Sequence, residues 1–206
     1  MKIAVIGSGN VGGALAQRFV GAGHTVLVGA QFPLSNKSVE LAQKIGEDRF
    51  TSVESAVKQC DVIILSVPAE AASEVAASLG NTEGKIIIDT MNIVLGKGPA
   101  GFINTADAIL ANTITRDVVK CFNTTGFENM LNPIYHGEGI DMFVAGNSEK
   151  GKSVATQLAK DIGFGTVHDL GGNEQFFLIE QLANVWINQA IFRNAGRDIA
   201  LKFIRK

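Results

Sequence analysis

The sequence predicts a doubly wound α/β domain, built on a mostly parallel sheet, with a small helical part at its C-terminal end. Three observations carry that expectation. Short apolar runs alternate with helical stretches along most of the chain, the first pair is joined by a glycine-rich turn, and the alternation stops after residue 172. The 206 residues are 46% apolar and 18% charged, which suits one sizeable core and few solvated tails. Eighteen Lys and Arg against 20 Asp and Glu leave a net charge of -2, so no nucleic-acid partner is expected. No apolar run approaches the ~18 residues of a membrane helix, and no basic, apolar leader precedes Lys2. No membrane partner and a cytoplasmic location follow as expectations. Cys60 and Cys121 stand far apart without His or Cys at metal spacing, so neither a disulfide framework nor a metal site is expected.

Element by element, Lys2 to Ile6 is an apolar run that stops at Gly7, as a strand buried on both faces does. From Val11 the period lengthens: Val11, Leu15, Phe19 and Ala22 share a helical face, closed by Gly21 and Gly23. Thr25 to Val28 is the next strand and completes a βαβ unit within about 30 residues. Val39 to Ile45 reads as a helix, Arg49 to Thr51 as a short strand, and Ser52 to Gln59 as a helix capped by its serine. Asp61 to Val67 is a buried strand, after which Pro68 admits a helix over the alanine-rich 69–79. Lys85 to Asp89 is a strand, 92–102 a loop and 104–112 a helix. Strands follow at 118–123, 141–146 and 166–169, with a helix at 149–162 between the last two.

The tail differs in kind. From Asn173 to Phe203 there is no proline, and the one glycine is Gly196, while Phe176, Phe177, Leu182, Val185, Trp186, Ala190 and Phe192 exceed the needs of a single amphipathic face. A long helix, broken near Gly196, is predicted, with Arg193, Arg197, Lys202, Arg205 and Lys206 as cations at its solvated end. The expected organisation is a nucleotide-binding domain over 1–172 and a helical extension over 173–206. The surplus apolar surface predicts a homodimer.

Gly7-Ser8-Gly9-Asn10-Val11-Gly12 fits G-x-G-x-x-G. In that pattern the first glycine makes a tight turn, the second lets a pyrophosphate approach the backbone, and the third lets the helix pack on the strand. A Gly-rich chain can also use such a run as a plain structural turn; its position between a buried strand and a helix favours dinucleotide binding of the Rossmann kind. The acidic residue that would hold an NAD ribose about 20 residues on is missing, because strand two ends Val28-Gly29-Ala30-Gln31. Beyond it Ser35, Asn36, Lys37 and Ser38 offer donors and one cation for a 2′-phosphate, or simply a polar loop and a helix cap. Ser66, Val67 and Pro68 close the strand expected beside strand one, at the switch point where open sheets bind ligands. Thr90 and Asn92, and Asn123 and Thr124, end two further strands and could orient a nicotinamide or a substrate, or could equally cap turns. No His or Lys is placed by a motif for acid or base work, so no catalytic side chain is expected.

These runs resemble a known family. Met1 to Gly12, Asp61 to Pro68, Ile88 to Asn92, Val119 to Thr124 and Gly196 to Lys202 together resemble the NADP oxidoreductases that depend on coenzyme F420, a deazaflavin; the cytosolic NADPH-binding domains of ferric reductases are similar. The resemblance spans nearly the whole chain. It implies a Rossmann domain with a small C-terminal part, often dimeric. It also implies NADP(H) as cofactor and coenzyme F420 or a flavin as the small-molecule redox acceptor. Carried over position by position, Ser8, Gly9, Asn10 and Val11 would hold the pyrophosphate, Val67 and Pro68 would contact the interior of the cofactor, and Asn123 to Phe127 would sit near the nicotinamide. The Ser-Arg pair usual after strand two is Ala30-Gln31 here, with Lys37 as the substitute. Two rival functions are an imine or keto-acid reductase, whose larger helical domain this tail is too short to supply, and an NADP(H)-binding sensor or scaffold without turnover.

Overall fold

A computed structural model describes residues 1–204 and Lys206. Arg205, counted above among the helix-end cations, lies outside the described residues. Six parallel strands come first: β1 (Lys2–Ile6), β2 (Thr25–Gly29), β3 (Phe50–Thr51), β4 (Val62–Leu65), β5 (Ile86–Asp89) and β6 (Val118–Cys121). They lie in the order β3-β2-β1-β4-β5-β6, the Rossmann arrangement. Ile3 of β1 pairs with Val26 on one side and Val62 on the other, so the winding reverses between β1 and β4.

The sheet is apolar on both faces, and the strands show why. Ile3 and Val5 enter one core cluster while Ala4 and Ile6 enter the other; in β4, Val62 and Ile64 divide from Ile63 and Leu65 in the same way. A period of two thus hides inside what reads as an unbroken apolar run. The first cluster is covered by α1 (Asn10–Gly21), α2 (Asn36–Ile45), α6 (Phe127–Leu131) and α7 (Glu149–Asp161). The second is covered by α3 (Val53–Gln59), α4 (Ala72–Ala77), α5 (Thr105–Asn112) and α8 (Phe176–Ile187), whose Phe176 and Ile179 are fully buried against the sheet.

Beyond β6 the structure adds to the prediction. α6 and a small hairpin, β7 (Ile134–Tyr135) with β8 (Glu138–Gly139), precede β9 (Met142–Ala145), which runs antiparallel to β6 with Cys121 opposite Val144. β10 (Val167–Asp169) extends the sheet parallel to β9.

The tail keeps a helix and breaks near Gly196 as predicted, and corrects the prediction in that helix does not resume beyond the break. α8 ends at Ile187, a wider turn of helix follows over Asn188–Phe192, and the chain then leaves helical geometry. Asn194 (φ 60°) and Gly196 (φ 83°) adopt left-handed backbone. Tertiary contacts outweigh helix propensity here. The Ile199 carbonyl accepts from Trp186 Nε1 (2.7 Å) and Asn129 Nδ2 (2.8 Å), and the Phe203 amide donates to Asp141 Oδ2 (2.8 Å). Arg197 is no solvated helix end either. It pairs with Glu128, and its guanidinium lies 5.4 Å from the Phe127 ring centre and 5.5 Å from that of Trp186.

Candidate functional site

The chain leaves β1 at Gly7, whose amide donates to the Gly29 carbonyl at 3.0 Å. Gly7 has φ +106°, and a Cβ there would stand 2.0 Å from the Ser66 carbonyl oxygen. A Cβ on Gly12 would stand 2.0 Å from the carbonyl oxygen of Gly7. Neither position admits a side chain. Gly9 is different: its backbone (φ -68°, ψ -168°) suits any residue, and a Cβ there would meet nothing within 4 Å. Two glycines therefore pack the turn, and the third keeps the space above it clear.

That space faces the start of α1. Ser35, Ser52, Asn104 and Ser148 cap α2, α3, α5 and α7 with their side chains, whereas α1 starts at Gly9 with no side-chain cap and no acidic residue in its first turn. The amides of Asn10, Val11 and Gly12 are left to an outside acceptor, and an anion is the acceptor that a helix N-terminus favours. The residues present fit a pyrophosphate.

The turn borders a cleft of about 540 Å³ at the β1–β4 switch point. Gly7, Ser8, Gly9, Gly29, Gln31, Phe32 and Ser35 line one side; Ser66, Val67, Pro68, Ala71 and Val75 line the other, with Val53 between. Among the described residues Glu74 is the one charged residue lining the cleft, and no carboxylate stands at the end of β2. Phe32 is 68% exposed at the mouth, a feature the sequence reading missed; the available signal was an aromatic residue three positions after β2, in the loop that leads to α2.

The donors after β2 separate into three roles. Ser35 caps α2 and borders the cleft. Ser38 is fully buried, its hydroxyl bonded to Ser8 Oγ (2.7 Å), Ser35 Oγ (2.9 Å) and the Phe32 carbonyl (2.8 Å), so it braces the loop from beneath. Lys37 lines a second groove of about 180 Å³ with Asn10, Gln17, Lys44 and Phe127, which meets the cleft at Ser8 and Gly9. Ala30 is half-buried at the start of the loop and is not among the cleft residues.

The ends of β5 and β6 are joined by amides. Asn92 Nδ2 donates to the Asn123 carbonyl (2.8 Å), and Asn123 Nδ2 donates to Asn92 Oδ1 (2.8 Å) and the Ile179 carbonyl (3.3 Å). Thr90 Oγ1 donates to the Leu65 carbonyl, and Thr124 donates to the sulfur of Met142 in the core, so both hydroxyls face protein.

Beneath this pair lies a network that the sequence reading passed over. Lys120, with no exposed surface, donates to Asp89 Oδ2 (2.5 Å), the Met91 carbonyl (2.8 Å) and Thr105 Oγ1 (2.8 Å), and pairs with Glu180 Oε1 at 2.9 Å. Burial pushes the Asp89 carboxyl above its usual range, against the pull of Lys120. The signal in the sequence was a lysine inside a four-residue buried strand, which requires a counter-charge. Close by, burial alone pushes the Cys121 thiol up to about 12, leaving it without nucleophilic character.

Fold and glycine turn together define the class of the fold: a doubly wound α/β domain of the Rossmann kind. Residues 2–93 match the model of a family described as NADP oxidoreductase coenzyme F420-dependent. The F420-dependent NADP reductase of Methanocaldococcus jannaschii is 24% identical over 218 positions, covering 98% of this chain and 98% of that protein. The metalloreductase STEAP3 of Rattus norvegicus is 26% identical over 170 residues; the match takes in 82% of this chain but 34% of that protein. Among solved structures, a protein described as an F420-dependent NADP reductase from Arthrobacter sp. FB24 superposes over 100% of both chains with a TM-score of 0.82 at 22% identity. An imine reductase from Myxococcus stipitatus superposes over 94% of this chain and 61% of its own, with a TM-score of 0.64 at 19% identity. At such identities the two structures show a shared fold. The resemblance read from the motifs is thus found again, by the family model over the N-terminal segment and by the M. jannaschii reductase over nearly the whole chain.

Proposed function

We propose that the protein is an oxidoreductase that binds NADP(H) along the switch-point cleft and moves hydride between it and a deazaflavin or flavin-like ring. The observation that carries the reading is Gly9: an open backbone position beside an uncapped helix start, continuous with a cleft large enough for a nucleotide. When bound, the nicotinamide supplies or takes up hydride at its C4, and the acceptor ring exchanges its accompanying proton with solvent. The chain's own work is placement. The amides of residues 10–12 seat the pyrophosphate, Val67 and Pro68 wall the interior of the cleft, and Asn92 and Asn123 mark the end where the ring would lie. Holding two rings at near-attack distance needs no ionisable side chain.

The lack of a carboxylate after β2 supports NADP(H) over NAD(H), with the 2′-phosphate met by Gln31 and Ser35 at the cleft edge and Lys37 two residues further along α2. Exposed Phe177 (48%), Leu178 (52%) and Val185 (51%) on α8 support a homodimer. No helix among the described residues is long and apolar enough to cross a membrane, and both cysteines are free and buried, in keeping with a reducing cytoplasm. We take residues 1–172 as the nucleotide-binding domain and 173–206 as its extension.

An imine-reductase reading has the shared fold in its favour, yet this chain spans under two thirds of that neighbour's length. The deciding experiment mixes the protein with NADPH and, separately, a deazaflavin, a flavin and a cyclic imine while nicotinamide absorbance is followed. Loss of absorbance with the deazaflavin or flavin supports the proposal. Turnover with the imine alone, or binding of NADPH with no turnover, replaces it by the reductase or the sensor reading.

A further inference from the structure

Three serine hydroxyls meet beneath the loop between β2 and α2. Ser38 is the middle one, with no exposed surface, and its Oγ lies 2.7 Å from Ser8 Oγ, 2.9 Å from Ser35 Oγ and 2.8 Å from the Phe32 carbonyl oxygen. A carbonyl oxygen only accepts and a hydroxyl has one hydrogen to give, so the hydrogen of Ser38 lies on Phe32. The contacts to Ser8 and Ser35 are then bonds in which those two residues donate and Ser38 accepts. The Ser38 amide in turn donates to Ser35 Oγ at 3.4 Å. Every hydroxyl hydrogen of the cluster therefore points inward.

The consequence falls on Ser8, which borders both the cleft and the groove beside it, where the space above Gly9 opens. With its hydrogen turned to Ser38, Ser8 Oγ offers that space lone pairs alone, and a phosphate oxygen, itself an acceptor, would be repelled. Turning the Ser8 hydrogen outward by itself leaves two oxygens 2.7 Å apart with no hydrogen between them. The contact survives only if Ser38 swings its own hydrogen from the Phe32 carbonyl to Ser8. That carbonyl has a second donor, because the Ser35 amide also reaches it at 3.1 Å. Rotation of one buried hydroxyl thus leaves no polar group orphaned.

From these contacts we infer that Ser38 is a positioning residue with two settings: its hydrogen rests on the Phe32 carbonyl in the free protein and moves to Ser8 when Ser8 donates to a phosphate of a bound dinucleotide. The inference rests on the dinucleotide reading above and deepens it, adding to the seat a residue that touches no ligand. In the second setting Ser38 and Ser8 form a head-to-tail pair of hydroxyl dipoles aimed at the anion, and such alignment strengthens each bond in turn. The same move takes one of two donors from the Phe32 carbonyl, so filling the turn loosens the hold on the aromatic residue at the mouth of the cleft.

The test compares ADP, which carries the diphosphate, with adenosine, which lacks it, each by competition against NADPH. Wild-type protein is expected to prefer ADP by about tenfold or more. Ser8→Ala removes the outward donor and is expected to weaken ADP by about tenfold, with adenosine held within about twofold. Ser38→Ala leaves Ser8 unsupported and is expected to weaken ADP by about fivefold, again sparing adenosine, because the Ser35 amide still holds the Phe32 carbonyl. The double variant should match Ser8→Ala alone, since Ser38 acts only through Ser8. Additive losses in the double variant, or equal losses of ADP and adenosine in Ser38→Ala, overturn the inference and reduce Ser38 to a brace for the loop. Unchanged ADP affinity in Ser8→Ala overturns it whether or not Ser38→Ala folds. Where Ser38→Ala fails to fold, Ser38→Cys, close to serine in volume but with a weak thiol donor, enters the same comparison with the same expected losses. Failure of wild type to bind NADPH at all removes the dinucleotide reading and this inference with it, whereas NADPH binding with no preference for ADP over adenosine overturns this inference alone.

Discussion

Replacing Lys120 by Met is the sharpest single perturbation of this fold. Methionine fits the length of the stem but brings no ammonium, so Asp89 and Glu180, 0% and 1% exposed, would share one dry site with their like charges unopposed. Breaking a buried ion pair from one side costs about 3–5 kcal/mol, against a total stability of about 5–15 kcal/mol for a typical domain. The Met91 carbonyl loses its donor as well, at about 1 kcal/mol or more. The deficit also carries a pH signature. Burial already raises the folded-state carboxyl of Asp89, and removing the cation that opposes this raises it further. A carboxyl raised on folding takes up protons more readily in the folded state, so its contribution to stability is present at low pH and lost as pH rises through the folded value. The Lys120→Met deficit should therefore be larger at about pH 8 than at about pH 5. Urea unfolding of both proteins at the two pH values measures it. Lys150→Met is the control, because Lys150 is 61% exposed and 3.9 Å from Asp117; it should cost under about 0.5 kcal/mol. A Lys120→Met cost below about 1 kcal/mol, or one equal at the two pH values, would show that the network carries no buried charge.

Other outcomes follow from the cleft and the tail. Gly7→Ala should fail to fold or lose several kcal/mol, while Gly9→Val should fold normally and lose NADPH affinity by about tenfold or more in a titration, since its side chain fills the space kept for the anion. Phe32→Ala should weaken NADPH and 2′,5′-ADP alike by about tenfold, as loss of a stacking surface for adenine does; unchanged affinity for both would remove Phe32 from the site. Asn92→Ala should lower kcat without altering the pH profile, and a bell-shaped profile abolished by one ionisable substitution would instead reveal a general acid or base. Light scattering should give a dimer for wild type and a monomer for Leu178→Glu; a wild-type monomer at micromolar concentration counts against pairing through α8.

How legible each part was in the sequence depended on whether its cause was local. The β1–α1–β2 unit could be read at once because a strand buried on both faces, a glycine turn and an amphipathic helix each leave a short-range pattern, and the structure keeps all three at the expected residues. Helix caps at Ser35 and Ser52 are local in the same way. The helix of the tail and its break near Gly196 were legible, but the course beyond Phe192 was not, because it is decided by Asn129, Asp141 and Glu128, which lie more than 60 positions away. Lys37 and Ser38 illustrate a finer limit. Adjacent in sequence, they turn to opposite environments, one to an outer groove and one to a fully buried hydroxyl cluster, and composition alone cannot separate them. The network of Asp89, Thr105, Lys120 and Glu180 draws on β5, α5, β6 and α8, so no window of sequence contains it.

The place where the family match ends bears on what distinguishes this chain. The matched segment, residues 2–93, takes in the glycine turn, both walls of the cleft and β5, the parts to which the proposed function assigns the seating of a dinucleotide. It stops at Ile93, the residue whose amide Glu180 accepts. The other half of that grip lies outside the match: Lys120 on β6, then Glu180 and Asn184 on α8. In this chain the part beyond residue 93 must meet the turn after β5. Here it does so through one buried carboxylate, because an apolar contact could not satisfy the exposed ends of that turn. Acceptor choice should accordingly follow α8 and the tail that straps it through Trp186 and Ile199, and a chimera carrying another relative's residues beyond 93 should change the acceptor while leaving 2′,5′-ADP affinity intact.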